Sequence, residues 1–103
     1  MYRMTILYSP PADGDVAAFR RYYEATHIPV AQRMAGLTGW NLSWIDTPET
    51  PYILVAELYA NSADAMSAIL ASPEGMAASA DLDNFVTSPV HFLTGEEIEV
   101  RLS

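Results

Sequence analysis

Apolar residues along this chain switch between a period of two and a period of three to four, and the order of those switches constrains the fold more than any other feature. From Tyr2 to Ser9, Tyr2, Met4, Ile6 and Tyr8 alternate with Arg3, Thr5, Leu7 and Ser9, a strand closed by Pro10 and Pro11. Asp13-Gly14-Asp15 turns the chain, and Asp15 can cap a helix over about 16–34, which Gly36 and Gly39 end. A second strand is expected over 38–46, where Trp40, Leu42 and Trp44 alternate with Asn41, Ser43 and Ile45. A third follows over 52–60, joined to the second as a hairpin through a loop carrying Pro48 and Pro51. Asn61 and Ser62 can cap a second helix whose inward stripe is Ala65, Met66, Ile69 and Leu70. Ser72-Pro73-Glu74 then restarts it through about Asp81. A fourth strand is expected over 86–94, with 98–102 continuing it or returning as a short fifth. The succession is βαββαβ, an α+β chain on the ferredoxin-like plan of a four-stranded antiparallel sheet with both helices on one face.

One domain spans residues 1–103, and a domain of this size leaves much of its surface exposed unless it associates. Both faces of the expected sheet carry apolar residues, whereas the helices cover only one. A homodimer closing two sheets into a dimeric α+β barrel is therefore expected. The net charge is −8, with no lysine and only Arg3, Arg20, Arg21, Arg33 and Arg101 as cations, which disfavours nucleic acid and anionic membranes as partners. With no cysteine, disulfides, thiolate metal sites and thiol catalysis are excluded. No charged-then-apolar leader and no apolar run of about twenty residues is present, so a cytoplasmic, membrane-free protein is expected.

His27 is the residue that invites a chemical reading. Phe19, Tyr23 and His27 follow at four-residue steps and share a helical face, which Val30 and Met34 would carry onward. Pro29 can give no amide proton to Ala25, so the helix must kink or restart where the histidine sits. An inward imidazole can serve as base, acid or hydrogen-bond donor, but a histidine merely bonded to a nearby carbonyl in the core is the competing reading. Tyr22 and Tyr23 flank that face and Trp40 and Trp44 lie on the next strand, enough to line an aromatic small-molecule pocket or simply to fill the core. Asp81 can orient an imidazole or cap a turn, while Asp83 and Asn84 read as turn formers. Glu57, inside an apolar strand, reads as a structural partner of an arginine, and His91 as a sheet-surface or interface residue. Two histidines far apart give no basis for a metal, and no glycine-rich phosphate loop supports a nucleotide or flavin; no cofactor is expected.

Several segments together resemble the EthD family: Tyr22 to Ala31 (YYEATHIPVA), the AGLTGW exit, Ala56 to Met66 (AELYANSADAM), Ala71 to Gly75 (ASPEG) and Ala80 to Phe85 (ADLDNF). The resemblance covers nearly the whole chain in order. It implies a dimeric α+β barrel with a pocket between sheet and helices, His27 matching the family's helix histidine, and Asp81 and Phe85 matching the later motif. The family takes its name from a protein of ethyl tert-butyl ether degradation that accompanies an oxidising system. Its fold relatives include cofactor-free monooxygenases, polyketide cyclases and muconolactone isomerases, so the resemblance speaks to fold more than to reaction. The leading expectation is a cofactor-free oxidoreductase, isomerase or cyclase acting on a small apolar or aromatic molecule. In it His27 and Asp81 would be catalytic, and Tyr22, Tyr23, Trp40 and Phe85 would bind substrate. A non-catalytic protein holding a hydrophobic metabolite for a separate oxidase, and a scaffold with a vestigial cavity, are the alternatives.

Overall fold

The computed structural model describes residues 1–103. Strand β1 (Tyr2–Tyr8) leads into helix α1 (Val16–Tyr22), a wider turn over Tyr23–His27 and a short helix α2 (Ile28–Ala31). Strands β2 (Gly39–Trp44) and β3 (Leu54–Ala60) form the hairpin, followed by α3 (Ala63–Ala71), α4 (Pro73–Asp81) and β4 (Val90–Glu96). The caps read from sequence are present. Asp15 accepts from Ala18 N–H, Ser62 from Ala65 N–H and Ser72 from Gly75 N–H, each satisfying a first-turn donor that has no partner inside its helix. Both expected helices, the hairpin and the order of elements are found.

The sheet runs β2-β3-β1-β4, every pair antiparallel, with β1 and β3 in the middle. Register places Met4 opposite Leu58, Ile6 opposite Ala56 and Tyr8 opposite Leu54. These six side chains, with Ala60, form the buried floor under the helices. Phe19, Tyr23, Ala31 and Met34 descend onto it from one helical segment, and Met66, Ile69 and Ala78 from the other. Each large apolar side chain so removed from water stabilises the fold by roughly 1.5–3 kcal/mol. At the corner between α3 and α4, Gly75 is buried so closely against α3 that a β-carbon would collide with the carbonyl oxygens of Ile69 and Leu70. Only glycine lets the two helices meet there.

Several boundaries differ from expectation, β2 ending at Trp44 rather than Asp46 among them. The first helix ends at Ala31 rather than near Met34. The third strand starts at Leu54, because Tyr52 N–H turns back to the Thr50 hydroxyl. The fourth starts at Val90 rather than Val86, since a short 3-10 turn over Leu82–Asn84 follows α4 and Thr87 is taken up by a bond from Ala12 N–H. Residues 98–102 form no strand: the last backbone bond between the two ends of the chain joins Glu97 N–H to the Met1 carbonyl.

On the sheet's other face stand Arg3, Thr5 and Leu7 of β1, Asn41 and Ser43 of β2, Val55, Glu57 and Tyr59 of β3, and His91 and Leu93 of β4. No helix covers them, and they are more mixed in polarity than the sequence reading of an apolar second face. Helix-facing positions of β3 are the even ones, Leu54 to Ala60, so Val55 and Tyr59 belong to this open side, while Ile53, just before the strand, packs against the core. No helix is long and apolar enough to cross a membrane.

Candidate functional site

Pro29 sets the local geometry. It has no N–H, and the turn before it is not α-helical: Ile28 N–H reaches back five residues to the Tyr23 carbonyl, closing a π turn over Tyr23–His27. The expected kink thus takes the form of one extra residue in the turn. Its consequence is positional. In a uniform α-helix each four-residue step overshoots a full turn by about 40°, so Phe19, Tyr23, His27 and Ala31 would drift around the helix. The wider turn takes back part of that drift, and all four are buried, while Val30, expected to continue the stripe, is only half-buried.

His27, 5% exposed, meets Asp81, 8% exposed, at the last residue of α4: imidazole Nδ1 lies 2.9 Å from Oδ2. The other oxygen, Oδ1, accepts from the Tyr22 hydroxyl at 2.8 Å and from Asn84 Nδ2 at 3.0 Å. Burial alone would push the Asp81 carboxyl up, but the bonds from Asn84, His27 and Tyr22 outweigh it and hold the group below the usual carboxylate range. Asp81 is therefore ionised at neutral pH and can only accept. It follows that the proton on a neutral His27 sits on Nδ1, which leaves the Nε2 lone pair free to act as a base. The same carboxylate steadies the imidazolium once Nε2 takes up a proton. Tyr22, bonded to that carboxylate, has its own ionisation pushed up. Phe85 completes the setting, its ring 4.8 Å from Tyr22 and 5.1 Å from His27.

Between the covered face of the sheet and the helices lies a cavity of about 310 Å³, the lower end of the range for small-molecule sites. His27, Tyr8, Tyr23 and Trp40 line it among Met4, Ile6, Met34, Leu58 and other mainly apolar neighbours, and no arginine, aspartate or glutamate reaches its wall. Burial pushes the Tyr8 phenol up to about 12 and raises that of Tyr23 further, so both stay protonated in the neutral range and serve as donors rather than bases. The Tyr23 hydroxyl neighbours Tyr8 and Trp40 without closing a well-formed bond to either. The Tyr8 hydroxyl and the Trp40 indole N–H are left buried with no partner.

Of the residues singled out from sequence, His27, Tyr23 and Trp40 converge on the cavity wall, and Asp81 stands behind His27. Tyr22 and Phe85, expected to touch a ligand, lie off that wall: Tyr22 holds Asp81, and Phe85 packs behind the imidazole. Two members went unread. Asn84 does lie in a turn, as its residue type predicts, but it also donates to Asp81, for which its position three residues further along the helix is a usable signal. Tyr8 sits on the strand face that its alternation predicts, and nothing in that alternation foretells an unpaired hydroxyl. Trp44 is half-buried and packs against the core, edge-on to Phe19 and Tyr23 with the Arg20 guanidinium 4.7 Å over its ring. Glu57 does pair with arginine, at 3.9 Å from Arg3, which also binds Glu97 at 3.1 Å, and the Tyr59 hydroxyl donates to Glu57 at 2.7 Å. His91 is exposed on the open face beside Tyr52. No three metal-ligating side chains converge anywhere.

The EthD domain family model matches residues 12–89. Over 101 residues the chain is 37% identical to an uncharacterized 11.0 kDa protein of the thcB-thcC intergenic region of Rhodococcus erythropolis, covering 94% of this chain and 95% of that one. Among solved structures, an EthD family protein from Bacillus halodurans superposes with a TM-score of 0.86 at 27% identity, over 95% of this chain and 99% of that one. A Deinococcus radiodurans protein described as a candidate antibiotic biosynthesis monooxygenase superposes with a TM-score of 0.69 over 100% and 98% of the two chains. At 16% identity that likeness shows the shared fold alone.

Proposed function

The chain belongs to the EthD family, and from that membership we propose that it is a cofactor-independent enzyme that deprotonates a small apolar or aromatic substrate, with His27 as the proton carrier. One observation carries the reading: a buried histidine, its tautomer dictated by an ionised aspartate, lines an apolar cavity of ligand size. His27 Nε2 takes the proton, Asp81 balances the charge that forms on the ring, and Tyr22 and Asn84 keep Asp81 in place. Returning the proton at another atom gives isomerisation or cyclisation, and reaction of the carbanion with molecular oxygen gives oxygenation. The open sheet face packs on a second copy of the chain, which keeps Leu7, Val55 and Leu93 from water.

Deprotonation can be assayed before the net reaction is known. Small ketones, lactones and phenols that raise the melting temperature are incubated with the protein in D2O, and exchange of their acidic C–H is followed by NMR. Wild-type protein is expected to exchange at least one of them, and His27→Ala to lose that exchange while still folding. Binding without exchange by the wild type would replace the enzyme with a carrier that holds a metabolite for a separate oxidase.

A further inference from the structure

Polar residues outside the histidine network also line the cavity, namely Tyr8, Tyr23, Trp40 and Ser79. The Tyr8 hydroxyl and the Trp40 indole N–H are buried and unpartnered, though both residues line the cavity that His27 also lines. Buried donors are nearly always bonded, so unpaired ones on residues that line a ligand-sized cavity leave donor capacity that a ligand's acceptor can take up. Indole N–H can only donate, and a protonated phenol has its proton to give. Tyr8 and Trp40 thus have protons to give an incoming oxygen.

Charge narrows the ligand further. No arginine lines the cavity and the chain carries a net −8 with no lysine, so a carboxylate or phosphate would give up its hydration without a fixed countercharge to replace it. Donors without a countercharge suit an oxygen that is neutral on binding and gains charge only during reaction.

We propose that the cavity takes a neutral carbonyl compound with an acidic C–H beside the carbonyl, and that Tyr8 and Trp40 hold its oxygen while that C–H faces His27. This rests on the proton-transfer reading of the site and names its substrate class. The C–H bond breaks, its electron pair becomes the enolate, the proton passes to His27 Nε2, and the two donors receive the charge developing on oxygen. No oxidant or reductant is needed for the step.

The test compares three bicyclic probes of similar size by calorimetric titration: 2-tetralone, its hydrocarbon tetralin, and tetralin-2-carboxylate. Wild-type protein is expected to bind the ketone roughly tenfold more tightly than the hydrocarbon, as one or two good hydrogen bonds would give, and the carboxylate more weakly than either. Tyr8→Phe and Trp40→Phe should each cut that preference severalfold. Tyr8→Phe removes an unsatisfied hydroxyl and should melt no lower than wild type, so it remains informative if the tryptophan variant folds poorly. Equal affinity for ketone and hydrocarbon, no loss of preference in Tyr8→Phe, tighter binding of the carboxylate, or no binding of the ketone would each overturn the assignment. Exchange of the ketone's C–H in D2O separates the two readings. Selective binding through Tyr8 and Trp40 without exchange leaves the oxygen site standing and removes the catalytic role of His27.

Discussion

Which ring nitrogen of His27 holds the proton decides what the side chain can do, and Asp81 makes that decision. Because its carboxyl is depressed in the folded state, it contributes stability that is present above the unfolded value of about 3.9 and is lost as pH falls through and below that value. Asp81→Asn removes this titration. Urea midpoints measured between pH 6 and pH 3 should therefore fall less steeply in Asp81→Asn than in wild type, from a lower starting value at pH 6. An amide can also donate to Nδ1 and hold the wrong tautomer, so C–H exchange should drop by one to several orders of magnitude while binding of a neutral ligand stays nearly unchanged. Loss of binding in step with exchange would make Asp81 a packing residue. His27 was legible in the sequence because its spacing from Phe19 and Tyr23 is local. That Asp81 is its partner was one open alternative, since the two are 54 positions apart.

Two elements carry the site. The π turn over Tyr23–His27 is coupled to Pro29, which denies the helix an ordinary α bond. Pro29→Ala supplies an N–H that can close an α turn on Ala25, so the variant should be at least as stable as wild type. It should also turn His27 away from Asp81, lowering exchange and altering the Nδ1–H proton resonance. Unchanged exchange in a more stable variant would show that the extra residue in the turn is incidental. The second element is the α3–α4 corner. Gly75→Ala places a methyl group against two carbonyl oxygens, and overpacking of this kind costs about 1–3 kcal/mol or more, readable in a urea titration. The break in the first helix was legible because proline acts on its own turn; its form as a π turn was not, since that depends on which face must stay buried over four successive steps. The start of β4 at Val90 was missed for a similar reason, because the stretch before it is held by a side chain across the molecule, Thr87 to Ala12.

Considered whole, the molecule is a two-layer sandwich with one sheet face left open. Arg3, Glu57, Tyr59 and Glu97 form a polar network on that face beside Leu7, Val55 and Leu93, the last 56% exposed. A chain of 11.3 kDa is expected to sediment as a species of twice that mass, with a urea midpoint that rises with protein concentration. Leu93→Arg should return it to monomer without changing its far-ultraviolet circular dichroism, since the monomer already exposes that position. A wild type that sediments as a monomer at all concentrations would remove the dimer. What the sequence alone determined was the kind and order of the elements, because strand alternation, helix spacing, caps and prolines act within a few residues of themselves. Which helix end meets which, how deep the cavity between them is, and which polar groups are left inside it without partners were decided only by tertiary packing, where side chains distant along the chain fill shared space unequally.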